Sequence, residues 1–233
     1  MRISHSALST FMQCPMRYKL RYIDKIEAPF DYDPHNALVL GTALHIGIEK
    51  GVDEAIEYYK GQYFFLEDAN YAEIEKLKLI IEACREILPV GEYERKILVD
   101  LNEDEFIGYA DLLVPVEDNV YDLYDFKYSN NIDGYLESAQ LHEYKFFLEM
   151  GSDIKIRNMY FVFAPKIKTT ADKINVKVVN VDYDEKKVCE FFKNLHSLKE
   201  NINTNREFKK NPSYLCKWCD YFKMKKCDGK RYS

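Results

Sequence analysis

No run of apolar residues in this 233-residue chain is long enough to cross a bilayer. The opening residues, M-R-I-S-H-S-A-L-S-T, lack the apolar core and small-residue cleavage site of a secretory leader. There is no internal repeat and no low-complexity run. A cytoplasmic protein without membrane attachment is the expectation. The six cysteines do not suggest a secreted disulfide framework, since the chain is long and carries no leader. Three of them, Cys216, Cys219 and Cys227, crowd together near the C-terminus, which points to a metal or a cluster.

What is present suffices for one α/β domain with an appendage. Hydrophobic residues make up 47% of the chain, as in folded proteins. The net charge of −6 argues at first against a nucleic-acid partner, but its distribution argues otherwise. Residues 1–25 hold Arg2, Arg17, Lys19, Arg21 and Lys25 against Asp24 alone. Residues 201–233 hold nine Lys/Arg against Glu207, Asp220 and Asp228. The middle is therefore acidic. Ends that meet in space would form one basic surface beside an acidic site. Ends that do not would be ordinary solvated charge.

Short helical pieces are expected over 4–24, with Ser4, Ser6 or Ser9 as possible caps and a break or a helix start at Cys14-Pro15. Residues 27–39 read as a loop. Leu44, Ile48, Val52 and Ile56 recur every four residues, which predicts one helix over 41–61 capped by Thr42. A second amphipathic helix spans 71–88 and stops at Pro89. Strands are predicted at 92–101, 105–116 and 119–128, with a Pro-Val-Glu-Asp-Asn turn between the last two. A helix runs from Tyr135 to Gly151, and strands follow at 156–164 and 173–182. The last helix, 184–203, turns Val188, Phe191, Phe192, Leu195 and Leu198 inward. Cys84 and Cys189 lie in helices and read as structural. This order implies a central mixed β-sheet flanked by helices, with a core of about 40–200 and an appendage formed by 1–25 and 205–233.

The chemistry concentrates in the hairpin from Glu105 to Lys127. Asp111 lies in its first strand, and Asp125 and Lys127 share one face of its second. Aspartate is disfavoured in strands, and charge is rarely buried without a partner or a metal. Both carboxylates converging on a divalent ion explain the pattern, with Lys127 beside the water that attacks a phosphodiester. The Phe126 carbonyl would add an oxygen and His45 a ring nitrogen, a donor set suited to Mn²⁺ as well as Mg²⁺. Glu49, one turn after His45, would hold a metal-bound water or orient the imidazole. Gln140 and Tyr144, four apart on one helix, form a platform for DNA contacts. Each residue also has an ordinary alternative: a same-face ion pair for Asp125 and Lys127, a satisfied helix residue for His45, a core ring for Tyr144.

Taken together these motifs resemble the PD-(D/E)XK nuclease superfamily. Within it they resemble the RecB/AddB-type nuclease domain and the iron–sulfur exonucleases of CRISPR adaptation. The resemblance is carried by Ser6–Ile23 with Cys14-Pro15, G-T-A-L-His45, G-Y-A-Asp111, Asp125-F-Lys127 and Gln140-L-H-E-Tyr144. It departs in lacking a proline before Asp111 and in having aspartate at 125. The resemblance implies a restriction-endonuclease-like core and a metal-dependent DNA exonuclease acting on single strands or ends. It also implies that Cys14 joins Cys216, Cys219 and Cys227 as ligands of a [4Fe–4S] cluster that clasps the termini. Spacing alone leaves Zn²⁺ or free thiols open at these cysteines. Trp218, Tyr221 and Phe222 would pack around such a cluster, or stack on bases if exposed. The rival function is a catalytically idle DNA-binding or partner subunit of a helicase–nuclease. Oligomeric state is not legible.

Overall fold

The computed structural model describes residues 1–167, 174–204 and 207–228. The chain opens with β1 (Arg2–Ile3), α1 (His5–Gln13) and α2 (Pro15–Tyr18), which runs on into a π turn at Lys19–Ile23. Three helices follow: α3 (Ala37–Glu49), α4 (Val52–Lys60) and α5 (Asp68–Ile87). The strands β2 (Glu92–Asp100), β3 (Glu105–Glu117) and β4 (Val120–Tyr128) come next. Then come α6 (Ile132–Leu136), α7 (Gln140–Gly151), β5 (Lys155–Ala164) and β6 (Lys177–Val181). The chain continues with α8 (Glu185–Asn203), a 3-10 turn at Tyr214–Trp218 and α9 (Asp220–Lys223). Lys173, the first residue of the last predicted strand, lies outside the described residues, as do the basic residues Arg206, Lys230 and Arg231.

Two compact units emerge. The first comprises Asp31–Ile97 and Tyr109–Tyr183, without the residues outside the description. Its sheet is mixed: β3 pairs antiparallel with β4, β4 parallel with β5, and β5 antiparallel with β6. Leu112, Phe126, Val162 and Ala164 point from the strands into a core shared with α3, α4 and α5. Alternation turns Asp111, Asp125, Phe161 and Phe163 to the other face, where Tyr135 of α6 meets both phenylalanine rings. α7 packs on β5 and β4. The expected α/β architecture, a mixed sheet flanked by helices, is what forms.

Local boundaries differ from the sequence reading for identifiable reasons. The helix predicted over 41–61 is two helices, because Gly51 at φ 134° sits between α3 and α4. The cap of α3 is Asn36 rather than Thr42, its side chain accepting from the Leu38 and Val39 amides. Of the serines expected as caps, Ser4 caps α1, accepting from the Ala7 amide at 3.2 Å. Pro115 lies inside β3 at a register shift, where a missing amide is tolerated, and the turn falls at Asp118-Asn119 with Asn119 at φ 58°. The helix predicted from Tyr135 breaks before Gln140, so that residue heads α7.

The second unit comprises Met1–Phe30, Leu98–Gly108 and the described part of Asp184–Ser233. β1 runs parallel to the first residues of β3, with Ile3 opposite Phe106. The predicted inward face of α8 is buried at Val188, Phe191, Leu195 and Leu198, while Phe192 is exposed. Lys199 donates to Asp104 at 2.9 Å and to Glu103 at 3.0 Å. Phe208 packs against the Phe11 and Tyr18 rings. Asn211 donates to the Gln13 carbonyl and the Met16 amide to the Lys209 carbonyl. The two basic ends therefore meet inside this unit.

One packing contact gives a paired expectation. A Cβ on Gly47 would come within 2.2 Å of Ile81 Cδ1, whereas one on Gly41 would meet nothing within 4 Å. Gly47→Ala should lower unfolding stability by about 1–3 kcal/mol through overpacking. Gly41→Ala, also inside α3 but facing open space, should raise it by about 0.5–1 kcal/mol. Urea unfolding of both variants checks the pair, and equal shifts would contradict it.

Candidate active site

The site grows from the point where β3 and β4 part. Their register runs from Glu117↔Val120 to Leu112↔Tyr124. Just beyond it, the Phe126 amide donates not to a strand carbonyl but to Asp111 Oδ2, at 2.6 Å. Continuing the register by one step places Asp111 across from Asp125. Two carboxylates thus face each other, Asp111 8% and Asp125 1% exposed. Opposed like charges in a sheet are destabilising, more so when desolvated.

Cations answer them from both sides. Lys127 forms an ion pair with Asp125 Oδ2. Apart from this ammonium, neither buried Asp125 oxygen has a hydrogen-bond donor among the described residues. Lys127 Nζ donates to Gln140 Oε1 at 2.9 Å, and Gln140 Nε2 donates to the Tyr144 hydroxyl at 3.1 Å. The ammonium also lies 5.4 Å from the Tyr135 ring centroid and 5.6 Å from that of Phe161. On the other side His45 of α3 donates from Nε2 to the Phe126 carbonyl at 3.2 Å. Its Nδ1 lies 3.5 Å from Asp111 Oδ1 and 4.0 Å from Glu94 Oε1.

Charge states follow from this crowding. Burial, reinforced by the Asp125 charge, pushes the Asp111 carboxyl up to about 7. Burial alone would lower His45, but Asp111 and the Glu94 hydrogen bond overcome it and raise the imidazole to about 9. Burial likewise opposes the Lys127 charge, and Asp125 and Asp111 outweigh it, holding the ammonium above its ordinary value. At neutral pH the site contains a lysine cation and an imidazolium around the two acidic side chains.

The donor set fits a divalent ion. His45, Glu94 and Asp111 bring ligand atoms within 4.8 Å of one another. The Asp125 oxygens and the Phe126 carbonyl are hard ligands on the neighbouring strand. Nitrogen and oxygen donors of this kind suit Mg²⁺ or Mn²⁺.

Sequence reasoning missed Glu94. It sits in a charge-rich strand beside Glu92, Arg95 and Lys96, so nothing in the pattern marks it. In the structure it adopts φ 52°, a left-handed conformation that costs a non-glycine residue about 1–3 kcal/mol. Such an outlier in a strand re-aims a side chain, and Glu94 is aimed at His45. Glu49 lines the same open cleft of about 500 Å³. Its ion-pair contact is Lys50 at 3.9 Å, so Glu94 and the Phe126 carbonyl, not Glu49, meet the His45 ring. Gln140 and Tyr144, expected to face DNA, hold the lysine, with Tyr144 8% exposed.

A model of the PD-(D/E)XK nuclease superfamily matches residues 2–224. The chain belongs to this superfamily. Among solved structures, it is similar to one titled "Putative exonuclease" from Eubacterium rectale, with a TM-score of 0.63 and 15% identity over 100% of this chain and 91% of that one. At that identity the likeness speaks for the fold. A second, SSO0001, has a TM-score of 0.44 at 15% identity over 99% and 87% of the two chains, and carries no argument. No curated protein matches. Members of the superfamily are metal-dependent nucleases, and this chain brings together ligand atoms of His45, Glu94 and Asp111.

The buried charges imply a pH dependence in metal-free protein. Asp111 keeps its proton to about 7 in the fold, against about 4 when unfolded. Between those values the native state binds more protons, so its stability falls as pH rises. The contribution of His45 is intact below about 6.5 and lost as pH rises through about 9. Both act in one direction. In chelator, the melting temperature should fall from pH 5 to pH 9, and Asp111→Asn should flatten that slope throughout, since it removes the raised carboxyl and the charge that raises His45. An unchanged slope in Asp111→Asn would contradict the assignment.

Proposed function

We propose that this nuclease is a DNA exonuclease that hydrolyses phosphodiester bonds at single-stranded or end-containing substrate. The observation that carries the reading is the buried pair Asp111 and Asp125 with Lys127 on the same face. Asp111, Asp125, His45 and the Phe126 carbonyl would hold Mg²⁺ or Mn²⁺, and Glu94 joins them as a donor. Such an ion supplies charge neutralisation at the phosphorus and activation of water.

The protein's own groups do the rest. Lys127 is a cation with no acceptor atom, so it donates to oxygen charge developing at the phosphorus rather than removing a proton. Gln140 accepts a hydrogen bond from it and is itself held by Tyr144, which fixes where the ammonium points. His45 carries both ring protons at neutral pH, and releasing one makes it a ligand, so metal affinity rises with pH. The exonuclease specificity is supported by the motif resemblance and by the name of the Eubacterium rectale protein, "Putative exonuclease", whose fold is similar.

Four cysteines of the second unit would form a separate centre. Cys14, Cys216, Cys219 and Cys227 line one cavity, with Arg17, Lys210 and Tyr221 around it. None of the four is in a disulfide, and each is partly buried. Four sulfurs with no carboxylate or imidazole among the lining residues fit a [4Fe–4S] cluster, with Zn²⁺ as the alternative. Its role is structural, adding a metal-ligand tie between chain ends that already share hydrogen bonds.

Two experiments test this. Lys127→Ala should retain DNA binding and lose cleavage of end-labelled DNA with Mn²⁺ by at least about a hundredfold, while Gln140→Ala should lose about tenfold in kcat with KM little changed. Native-rate cleavage by Lys127→Ala would defeat the reading, and a wild-type protein that binds DNA but never cuts it would favour the idle subunit. Anaerobically purified protein should be brown and contain stoichiometric iron, with both lost in Cys14→Ser along with part of its thermal stability. Colourless protein with bound zinc would replace the cluster by zinc.

A further inference from the structure

Three aromatic residues flank the C-terminal cysteines, and the fold uses them differently. Tyr221 is buried and donates its hydroxyl to the Ile26 carbonyl at 3.1 Å. Phe222 lines the cysteine cavity. Trp218 does neither: it is 57% exposed, so of the two roles open to it in the sequence, stacking rather than packing is the one its placement allows. Tyr214, at the other end of the 3-10 turn, is 66% exposed and meets Trp218 edge to face at 6.1 Å. Ser213 caps that turn by accepting from the Leu215 amide at 3.3 Å. Cys216 and Cys219 bracket the indole in sequence, so the cysteine site anchors the turn on both sides of it.

The surroundings are basic. Lys209, Lys210, Lys217, Lys223, Lys225 and Lys226 are all exposed, against Glu207, Asp220 and Asp228 in the same described segment. Lys217 Nζ lies 3.8 Å from the Trp218 ring centroid. The Lys217 ammonium therefore rests over one face of an indole that is otherwise largely open to solvent, where an incoming base or phosphate could displace or share it. Exposed aromatic surface of this kind, rimmed by charge, marks a place where something binds.

We propose that Tyr214 and Trp218 form a stacking platform for single-stranded DNA. The inference rests on the nuclease reading only for its choice of polymer. A single strand offers free π-faces to the rings and phosphates to the lysines, and each stacked base adds affinity without sequence preference. A duplex keeps its bases stacked inside and offers the rings nothing but its ends. Anionic lipid would satisfy the charge but has no ring to stack.

Trp218 is the only tryptophan in the chain, so intrinsic tryptophan fluorescence reports on this residue alone. The experiment uses full-length Lys127→Ala protein with its cysteine site loaded, titrated with oligothymidylate in chelator. Saturable, salt-sensitive quenching is expected, with much weaker quenching by a hairpin-closed duplex. In anisotropy binding, Trp218→Ala should weaken oligothymidylate affinity by about tenfold and Trp218→Phe by much less. Melting curves of both variants show that the fold is kept. Absence of quenching, equal affinity in Trp218→Ala, or quenching by phosphatidylglycerol vesicles but not by oligothymidylate would each overturn the platform. Wild-type cleavage measured in parallel separates the two readings. Cleavage without quenching removes the platform and leaves the nuclease, whereas quenching without cleavage removes the nuclease and leaves the platform.

Discussion

Two carboxylates that cannot escape each other set the terms of this structure. Asp111 and Asp125 lie one step beyond the last paired residues of β3 and β4, nearly closed to solvent and within each other's field. The protein shows elsewhere how it satisfies a buried carboxylate. Asp122, earlier on β4, receives a guanidinium fork from Arg157 at 3.0 and 2.7 Å and the Asn158 amide at 3.1 Å. Among the described residues Asp125 is given neither a guanidinium nor an amide, only the Lys127 ammonium at Oδ2. Instead α3 brings in His45 and α7 brings Gln140 to steady Lys127, so that cations balance the acidic pair.

Much of this is legible in the sequence. Inward-facing aspartates in β-prone runs are rare enough to name the strands and the site together, and Asp125 and Lys127 share a face because a strand alternates. The His45 helix is visible from its four-residue repeat. What stays hidden depends on backbone geometry or on distant partners. Glu94 reaches His45 through a left-handed residue that no composition signals. The break at Gly51 interrupts an apolar repeat that runs on through it, so periodicity reads one helix where the chain makes two. Pro115 reads as a turn residue, yet a bulge accommodates it inside β3.

Gln140 shows a subtler limit. Its spacing from Tyr144 identifies a shared helical face, and the natural inference is a surface for ligand. The fold turns that face toward Lys127. Spacing reports which side chains are neighbours, not what they address. The same limit applies to Trp218, whose neighbourhood with two cysteines suggests packing and whose exposure says otherwise.

Arg85 of α5 donates to the Gly47 and Ile48 carbonyls at 3.1 and 2.7 Å, closing off the C-terminal end of α3. Those carbonyls lie within one turn of His45. A helix can slide along its axis only by surrendering such end contacts, and here the restraint comes from a guanidinium on a different helix. The height at which the imidazole meets the carboxylates is therefore written into α5, a helix that contributes no ligand. Mutational tolerance should be lowest not only around the acidic pair but along this second line of residues, where a change would be felt as a misplaced histidine rather than as a missing one.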